Sequence, residues 1–352
     1  MSSNVSEADK LMLSAKKHLK TGFFKRKPDW GSAADDYERA SEIYMRAREI
    51  EKTREAIIGA CEALDKNNCV CSASRLMIKL ATFLAEEAQK GSDGKCVDEE
   101  LIDNAVEVYC GAGRYFAVEG KYDRQADVLV KAAELINPTK SISDSAGGAA
   151  YADESNQTKL QRVYMLLEEA VNLLESNSEE NSCYATRLPN IYHMWLLARL
   201  RSGDIIGAVA VLERQLGIST VSSSHGVNKG KDKAFRVFVS LNQPHNAAKA
   251  ALEMIVLCLS LGDVVLARDK MNALRDVPGF GGSKEESTAF ALLDAFEERD
   301  VEKLQETLKS STLLFLTNDI TRIAKKLVIT STEVKADGCG QGPCNDDDED
   351  IR

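Results

Sequence analysis

The segment YCGAGRYFAVEGKYDRQADVLVKAAELINP occupies residues 109–138 and predicts a pair of antiparallel helices. Its first half places aromatic and small residues on one helical face, namely Tyr109, Ala112, Gly113 and Phe116. Gly120 then stands at the turn, because glycine readily adopts the left-handed conformation that ends a helix. The second half has small and apolar residues at helical spacing and a final proline: Ala126, Val130, Ala133 and Pro138. Small residues that face aromatic ones allow the two helices to approach closely.

This order of positions is that of a tetratricopeptide repeat, with a turn one residue too long. Weaker copies follow at Tyr192, Trp195, Gly203, Asp204, Ala208 and Leu212, and at Gly262, Asp263, Ala267 and Met271. The same helical spacing occurs upstream at Ala34, Tyr37, Ala40, Tyr44 and Ala47. Since one helix pair cannot bury its own apolar stripe, we predict an all-α, tetratricopeptide-like solenoid of stacked hairpins. The alternative is a bundle of unrelated helices.

The rest of the chain supports the helical prediction and suggests its boundaries. Only Val237–Val239 is β-like in composition, and polar or glycine-rich stretches predict loops at 90–95, 137–158 and 219–233. After helix pairs from Asp9 to Pro278, apolar periodicity predicts a compact bundle of short helices between Ser283 and Ile329. The residues that carry this periodicity are Phe290, Leu293, Phe296, Leu304 and Leu308. We therefore expect a solenoid over 1–280, a C-terminal helical bundle over 281–330 and a flexible acidic tail over 331–352.

Charge is distributed unevenly along the chain. The 45 basic and 55 acidic residues give a net charge of −10, yet Lys16–Lys27 contains six bases and no acid. Asp337–Arg352 contains six acids and one base. This asymmetry predicts one anionic and one cationic partner. Nucleic acid is not expected, since the body is acidic and no basic stretch is interleaved with aromatic residues.

Composition also limits the compartment. No run approaches the ~18 apolar residues of a membrane span. The first thirty residues carry charges throughout and lack an apolar signal core, so we expect no secretion. Nine cysteines, an odd number, fit a reducing cytosol better than a disulfide framework.

No motif predicts an active site, a metal site or a cofactor. Gly226–Asp232 has only three residues between its glycines and no Ser or Thr after the lysine, so we interpret it as a turn, like Gly279–Gly282. Two cysteine pairs and four scattered histidines do not form a four-ligand zinc set: Cys69 with Cys71, Cys339 with Cys344, and His18, His193, His225 and His245. We interpret His193, beside Trp195, as a core residue. An all-α hydrolase with a cysteine nucleophile remains a third functional class.

Four stretches resemble a known family. LKTGFFKRKPDW at 19–30, followed by Ser32-Ala-Ala and Tyr37, resembles the opening of gamma-type soluble NSF attachment proteins. The resemblance returns in VPGFGGS at 277–283 and FALLDAF at 290–296. The ending DDDEDIR at 346–352 is similar to the alpha and beta members, which finish in Glu-Asp-Leu-Arg. The loops at 137–158 and 219–233, the linker 331–345 and Ile351 in place of leucine depart from the family pattern.

The resemblance implies a non-enzymatic adaptor without a cofactor, cytoplasmic and peripheral on endomembranes. Such adaptors bind SNARE complexes, including syntaxin-type SNAREs, through basic patches, and recruit and stimulate NSF, the ATPase that dismantles these complexes. The resemblance implies membrane contact at Phe23, Phe24, Lys25, Arg26 and Lys27. It implies NSF contact at Asp348, Glu349, Asp350 and Ile351. The alternative is a tetratricopeptide-type scaffold of another cytosolic complex, with no NSF or membrane role.

Overall fold

A computed structural model describes residues 2–21, 27–90, 98–137, 154–218 and 235–329. In these stretches the chain forms sixteen α-helices and two short 3-10 turns, at Tyr184–Arg187 and Leu274–Asp276. The first nine helices are α1 Ser2–Leu19, α2 Trp30–Ala47, α3 Ile50–Lys66, α4 Val70–Gln89, α5 Glu99–Val118, α6 Tyr122–Ile136, α7 Glu154–Asn177, α8 Leu188–Arg201 and α9 Ile205–Leu216. The others are α10 Val237–Ser240, α11 Pro244–Ser260, α12 Val264–Ala273, α13 Lys284–Glu298, α14 Val301–Thr307, α15 Ser311–Leu314 and α16 Asn318–Ala324.

The helices stack in the order of the chain. From α1 to α9 each helix packs against the next, and α9 then packs against α11. Ion pairs also connect helices two positions apart, so odd- and even-numbered helices form two layers in this part of the chain. Three of these pairs lie in the odd layer: Lys16–Glu55 at 3.0 Å, Asp103–Arg162 at 2.6 Å and Glu175–Arg214 at 2.7 Å. The prediction of an all-α series of stacked helix pairs is confirmed.

The repeat pattern has the expected physical basis. Tyr109 and Phe116 are buried on α5, and Gly113 packs against α6, where an added Cβ would be in ordinary contact with Val128 at 3.4 Å. Gly120 has a φ of +66°, as the turn requires. In the later copies Gly203 and Gly262 are also left-handed, at φ +80° and +74°. The aspartates that follow, Asp204 and Asp263, cap α9 and α12 by accepting backbone N–H groups at 2.8 Å.

Helices α13 to α16 follow the turn at 277–283, but one residue expected in their core is exposed. Leu293, Phe296 and Leu304 are buried and Leu308 is half-buried, whereas Phe290 is 41% exposed. The buried face of α13 consists of Thr288, Ala289, Leu292, Leu293, Ala295 and Phe296. Phe290 lies one position beyond that face. Both α13 and α16 pack against α11, which carries a continuous run of buried residues.

Two further sequence interpretations need correction, and the β-like run, too isolated to build a sheet, is placed in a helix. Val237–Val239 lies in the short helix α10, where Val237 and Phe238 are buried against α9 and α11. The loop predicted over 137–158 ends earlier, because α7 begins at Glu154. His193 is exposed on α8 instead of in the core, since Tyr192 and Trp195 occupy the buried side. Residues 138–153 and 219–233 lie outside the described part.

Candidate interaction surfaces

The predicted membrane contact falls at the junction of α1 and α2. Phe23, Phe24, Lys25 and Arg26 lie outside the described residues, and Lys27 is exposed. The two sides of the junction are joined, because the backbone N–H of Asp29 donates to the carbonyl of His18 at 3.0 Å. The Asp29 carboxylate also caps α2 by accepting the Ser32 N–H at 3.1 Å. His18 and Asp29 are therefore held close together, while the membrane contact itself stays a prediction.

The predicted NSF contacts are further from the described helices. Asp348, Glu349, Asp350 and Ile351 lie outside the described part of the chain, which ends at residue 329. Leu327 is buried, so the chain is still packed against the fold two residues before that point. The contact with NSF therefore stays a prediction as well.

A polar cleft opens between the solenoid and the short C-terminal helices. It measures about 450 Å³ and is lined by His193, Leu197 and Arg201 of α8, Lys249 of α11, residues 316–319, and Arg322 of α16. The basic side chains that line the cleft lie close to acidic side chains. Asp319 lies 3.3 Å from the Arg201 Nε atom and 3.7 Å from the Arg322 Nη1 atom. An anionic ligand would therefore have to compete with Asp319 for both guanidinium groups.

A smaller, more apolar groove of about 310 Å³ lies between α3, α4 and α5. Val70, Met77, Tyr115 and Val118 line it, with Asp65 and Arg114 as its charged groups. Gly111 leaves room for the Met77 side chain, since an added Cβ would stand 2.8 Å from the Met77 Cε atom. The groove could hold one apolar side chain of a partner.

Sequence reasoning missed both the cleft and the groove. Arg201 and Asp319 meet across 118 residues, and no local pattern links them. The exposure of His193 could not be read from helical periodicity, because the positions of the neighbouring helices decide which side is covered.

A partly buried polar network joins α7, α8 and α9. The Tyr192 hydroxyl donates to the Glu175 carboxylate at 2.5 Å, and Arg214 pairs with the other carboxylate oxygen at 2.7 Å. Desolvation, followed by the charge of Glu175, raises the pKa of the Tyr192 hydroxyl far above its usual value. Tyr192 therefore stays neutral and donates a hydrogen bond to the Glu175 carboxylate. The network fixes the relative position of three helices.

Three of the described cysteines, Cys61, Cys110 and Cys258, are poorly suited to nucleophilic chemistry. Burial raises the pKa of the Cys61 and Cys258 thiols to about 12, and it also raises the pKa of Cys110. Only the thiolate is strongly nucleophilic, so these three groups are weak nucleophiles at neutral pH. Cys71 is exposed, and its Sγ atom accepts a hydrogen bond from the Lys121 Nζ atom at 3.7 Å.

The described residues contain neither a candidate metal cluster nor a candidate membrane-spanning helix. In those ranges no group of three or more His, Cys, Asp or Glu residues could hold a metal ion. No helix among the described elements has the length and apolar character needed to cross a membrane.

Comparison with known proteins supports the resemblance seen in the sequence. A gamma-soluble NSF attachment protein of Dictyostelium discoideum is 24% identical over 324 residues, which cover 92% of this chain and 83% of that protein. One of Arabidopsis thaliana is 22% identical over 322 residues, with 92% of each chain covered. No protein-family model matches the chain. A solved structure, a circular tandem repeat protein with novel repeat topology and enhanced subunit contact surfaces, is 15% identical to this chain, with a TM-score of 0.43. The match covers 90% of this chain and 76% of that chain.

Proposed function

Because the chain is similar over 92% of its length to gamma-type soluble NSF attachment proteins, we propose that it is an adaptor for SNARE disassembly. In this role it binds assembled SNARE complexes, including syntaxin-type SNAREs, and recruits and stimulates NSF. It has no catalytic residue and no cofactor of its own, because NSF hydrolyses the ATP. It works in the cytoplasm, at the surface of endomembranes.

The extent of the similarity is the observation that carries the proposal. The matched stretch covers more than the repeat pattern at 109–138, since it includes nearly the whole series of helices. A match limited to one helix pair would favour a general scaffold. The ion pairs within the layers, such as Lys16–Glu55 and Glu175–Arg214, connect neighbouring hairpins and suit a surface that must hold a rigid partner.

The two ends of the chain take different partners in this proposal. Phe23, Phe24, Lys25, Arg26 and Lys27 contact the membrane in which the SNAREs are anchored. The tail residues Asp348, Glu349, Asp350 and Ile351 contact NSF, where the acids suit a basic surface. The unequal charge of the two ends fits these two assignments.

A disassembly assay with purified components tests the proposal. A soluble SNARE complex labelled for fluorescence is mixed with NSF, ATP and this chain, and its separation into monomers is followed. We expect disassembly only when all three are present, and none when a non-hydrolysable nucleotide replaces ATP. Absence of disassembly, together with failure of the chain to bring NSF to immobilised SNARE complex, would instead support the general scaffold.

A further inference from the structure

The solvent side of α1 carries three exposed lysines around one exposed leucine, which we call the α1 lysine face: Lys10, Leu13, Lys17 and Lys20. The opposite side of the helix, with Ala8, Met12 and Ala15, is buried against α2. The three lysines are exposed, and the Leu13 side chain between them is 61% exposed. Given the rise of an α-helix, Lys10 and Lys17 stand about 10 Å apart along the axis. The face continues past the helix end to Lys20.

The charges of this face are uncompensated. Lys10, Lys17 and Lys20 form no ion pair with any residue that the structure describes. Other charges near the helix are paired, since Lys16 contacts Glu55 at 3.0 Å and Asp9 contacts Lys52 at 3.1 Å. One acid, Glu7, stands a turn before Lys10. Lysines that stabilised the fold would be expected to have acidic neighbours, so the face is available to an external anion.

We propose that the α1 lysine face binds an anionic lipid surface. The inference rests on the proposed function, because it extends the membrane contact from residues 23–27 to the helix before them. A bilayer suits the face better than a compact ligand, since the cations lie along one exposed side and surround an apolar side chain. The lysines attract anionic headgroups, and Leu13 enters the boundary between headgroups and acyl chains.

The position of the face in the fold fits a flat partner. α1 begins the stack and packs against α2, so its outer side faces away from the following helices. The hydrogen bond from Asp29 to His18 holds the end of α1 beside the start of α2. Lys20 and the exposed Lys27 therefore belong to one end of the molecule. A membrane that touches Lys27 can touch the lysine face at the same time.

Vesicle flotation of the full chain, without NSF or SNAREs, tests the inference. The probes are phosphatidylcholine vesicles with and without phosphatidylserine, at low and physiological salt. The test variant carries Lys10→Gln, Lys17→Gln and Lys20→Gln. The control carries Lys66→Gln, Lys131→Gln and Lys309→Gln, which remove the same charge from exposed sites on α3, α6 and the end of α14.

We expect the wild type and the control to bind phosphatidylserine vesicles in a salt-dependent way. The test variant should bind these vesicles on the order of a hundredfold more weakly, since each lysine near an anionic leaflet contributes about fivefold. Leu13→Ser should weaken binding several-fold at both salt concentrations. Equal binding by the test variant and the control would overturn the inference, and so would wild-type binding that does not depend on phosphatidylserine.

Disassembly of a soluble SNARE complex separates this inference from the proposed function. The test variant should support it as well as the wild type does. A loss of soluble SNARE binding, with vesicle binding intact, would assign the face to a protein partner and overturn the inference. Lysine-dependent vesicle binding by a chain that does not support disassembly would leave the lipid site standing and reject the adaptor role.

Discussion

The carboxylate of Glu253 on α11 accepts a hydrogen bond from the backbone N–H of Thr317 at 2.7 Å, across 64 residues of sequence. Glu253 is only 4% exposed, and the Lys249 Nζ atom lies 3.9 Å from the same oxygen. Thr317 precedes the first residue of α16, so its N–H is one of those that the helix itself cannot satisfy. A buried carboxylate on α11 therefore caps α16 and attaches it to the solenoid.

Replacing Glu253 by alanine should destabilise this attachment. The change removes the acceptor of the partly buried Thr317 N–H, and loss of a hydrogen bond to a charged group costs about 1.5–3 kcal/mol of unfolding free energy. Urea unfolding measures the loss, and limited proteolysis after Lys325 or Lys326 reports the release of α16. Glu306→Ala, at an exposed position of α14, is the control and should stay within about 0.5 kcal/mol of the wild type. Equal stability of both variants would show that the hydrogen bond contributes nothing.

The turn at 277–283 offers a second matched pair of variants. Gly279 has a φ of +88°, and an added Cβ would stand 2.7 Å from the carbonyl oxygen of Pro244 at the start of α11. Gly281 has open space around an added Cβ and no left-handed φ. Gly279→Ala should therefore cost about 1–3 kcal/mol, and Gly281→Ala less than about 0.5 kcal/mol. Thermal unfolding of both variants checks this, and a similar loss at both glycines would contradict it.

The sequence predicted the features that depend on local geometry. Gly120, Gly203 and Gly262 occur where the turn needs a left-handed residue, and Asp204 and Asp263 follow as caps. Each of these rules involves only a few consecutive residues, so it can be applied without knowledge of the tertiary fold. The helices that follow such local rules could be predicted from the sequence. The helix α10 could not, because its conformation depends on the neighbouring helices. Val237 and Phe238 are β-formers, but burial between α9 and α11 places them in a helical turn.

The candidate surfaces were less predictable for the same reason. The cleft depends on the meeting of Arg201 and Asp319, and the exposure of His193 depends on which neighbours cover α8. Phe290 shows the limit within a single helix, because two faces of α13 carry apolar residues and only packing selects one of them. The functional prediction came instead from short specific runs at 19–30 and 277–283, which periodicity alone would not explain.

Low pH should weaken the contact that the Asp9 carboxylate on α1 makes with Tyr44 and Lys52. The Tyr44 hydroxyl, followed by the Lys52 ammonium group, lowers the pKa of the Asp9 carboxyl below its ordinary value. A lowered native pKa stabilises the fold above the unfolded pKa of about 3.9, and this contribution is lost as the pH falls through the native value. Asp9→Asn should therefore lower the melting temperature near neutral pH, and the difference should shrink below about pH 4.

Thermal unfolding between about pH 7 and about pH 3 measures whether the melting temperatures of the wild type and Asp9→Asn converge. Glu7→Gln, also on α1 and exposed, is the control and should change the melting temperature little at neutral pH. A wild-type advantage over Asp9→Asn that stays constant down to pH 3 would contradict the prediction.

The proposed membrane contact predicts a selective defect. Phe23→Ser with Phe24→Ser should weaken vesicle binding and slow disassembly of membrane-anchored SNARE complexes, because each buried ring contributes about 1.5–3 kcal/mol. Disassembly of soluble SNARE complexes should be unchanged. Phe290→Ser with Phe315→Ser removes two exposed rings elsewhere and is the control. If both double variants behaved alike on membranes, residues 23 and 24 would have no special role there.

The proposed NSF contact makes the last residues of the chain decisive for ATPase stimulation. Ile351 follows five consecutive acids and is apolar, which a tail that serves solubility alone does not require. Ile351→Ala should leave folding and SNARE binding intact. It should raise the concentration for half-maximal stimulation of NSF about tenfold or more, since burial of such a side chain is worth about 1.5–3 kcal/mol.

Ile351→Leu provides the matched control, because a swap of similar volume costs less than about 1.5 kcal/mol and restores the residue usual in the related proteins. Deletion of residues 346–352 should reduce stimulation further than Ile351→Ala does, since the acids attract a basic surface as well. The measurement is NSF turnover at saturating SNARE complex, with SNARE binding of each variant checked separately. Equal stimulation by the full chain and the truncated chain would reduce the acidic tail to a solubilising segment, because neither the isoleucine nor the acids would then contribute to the contact.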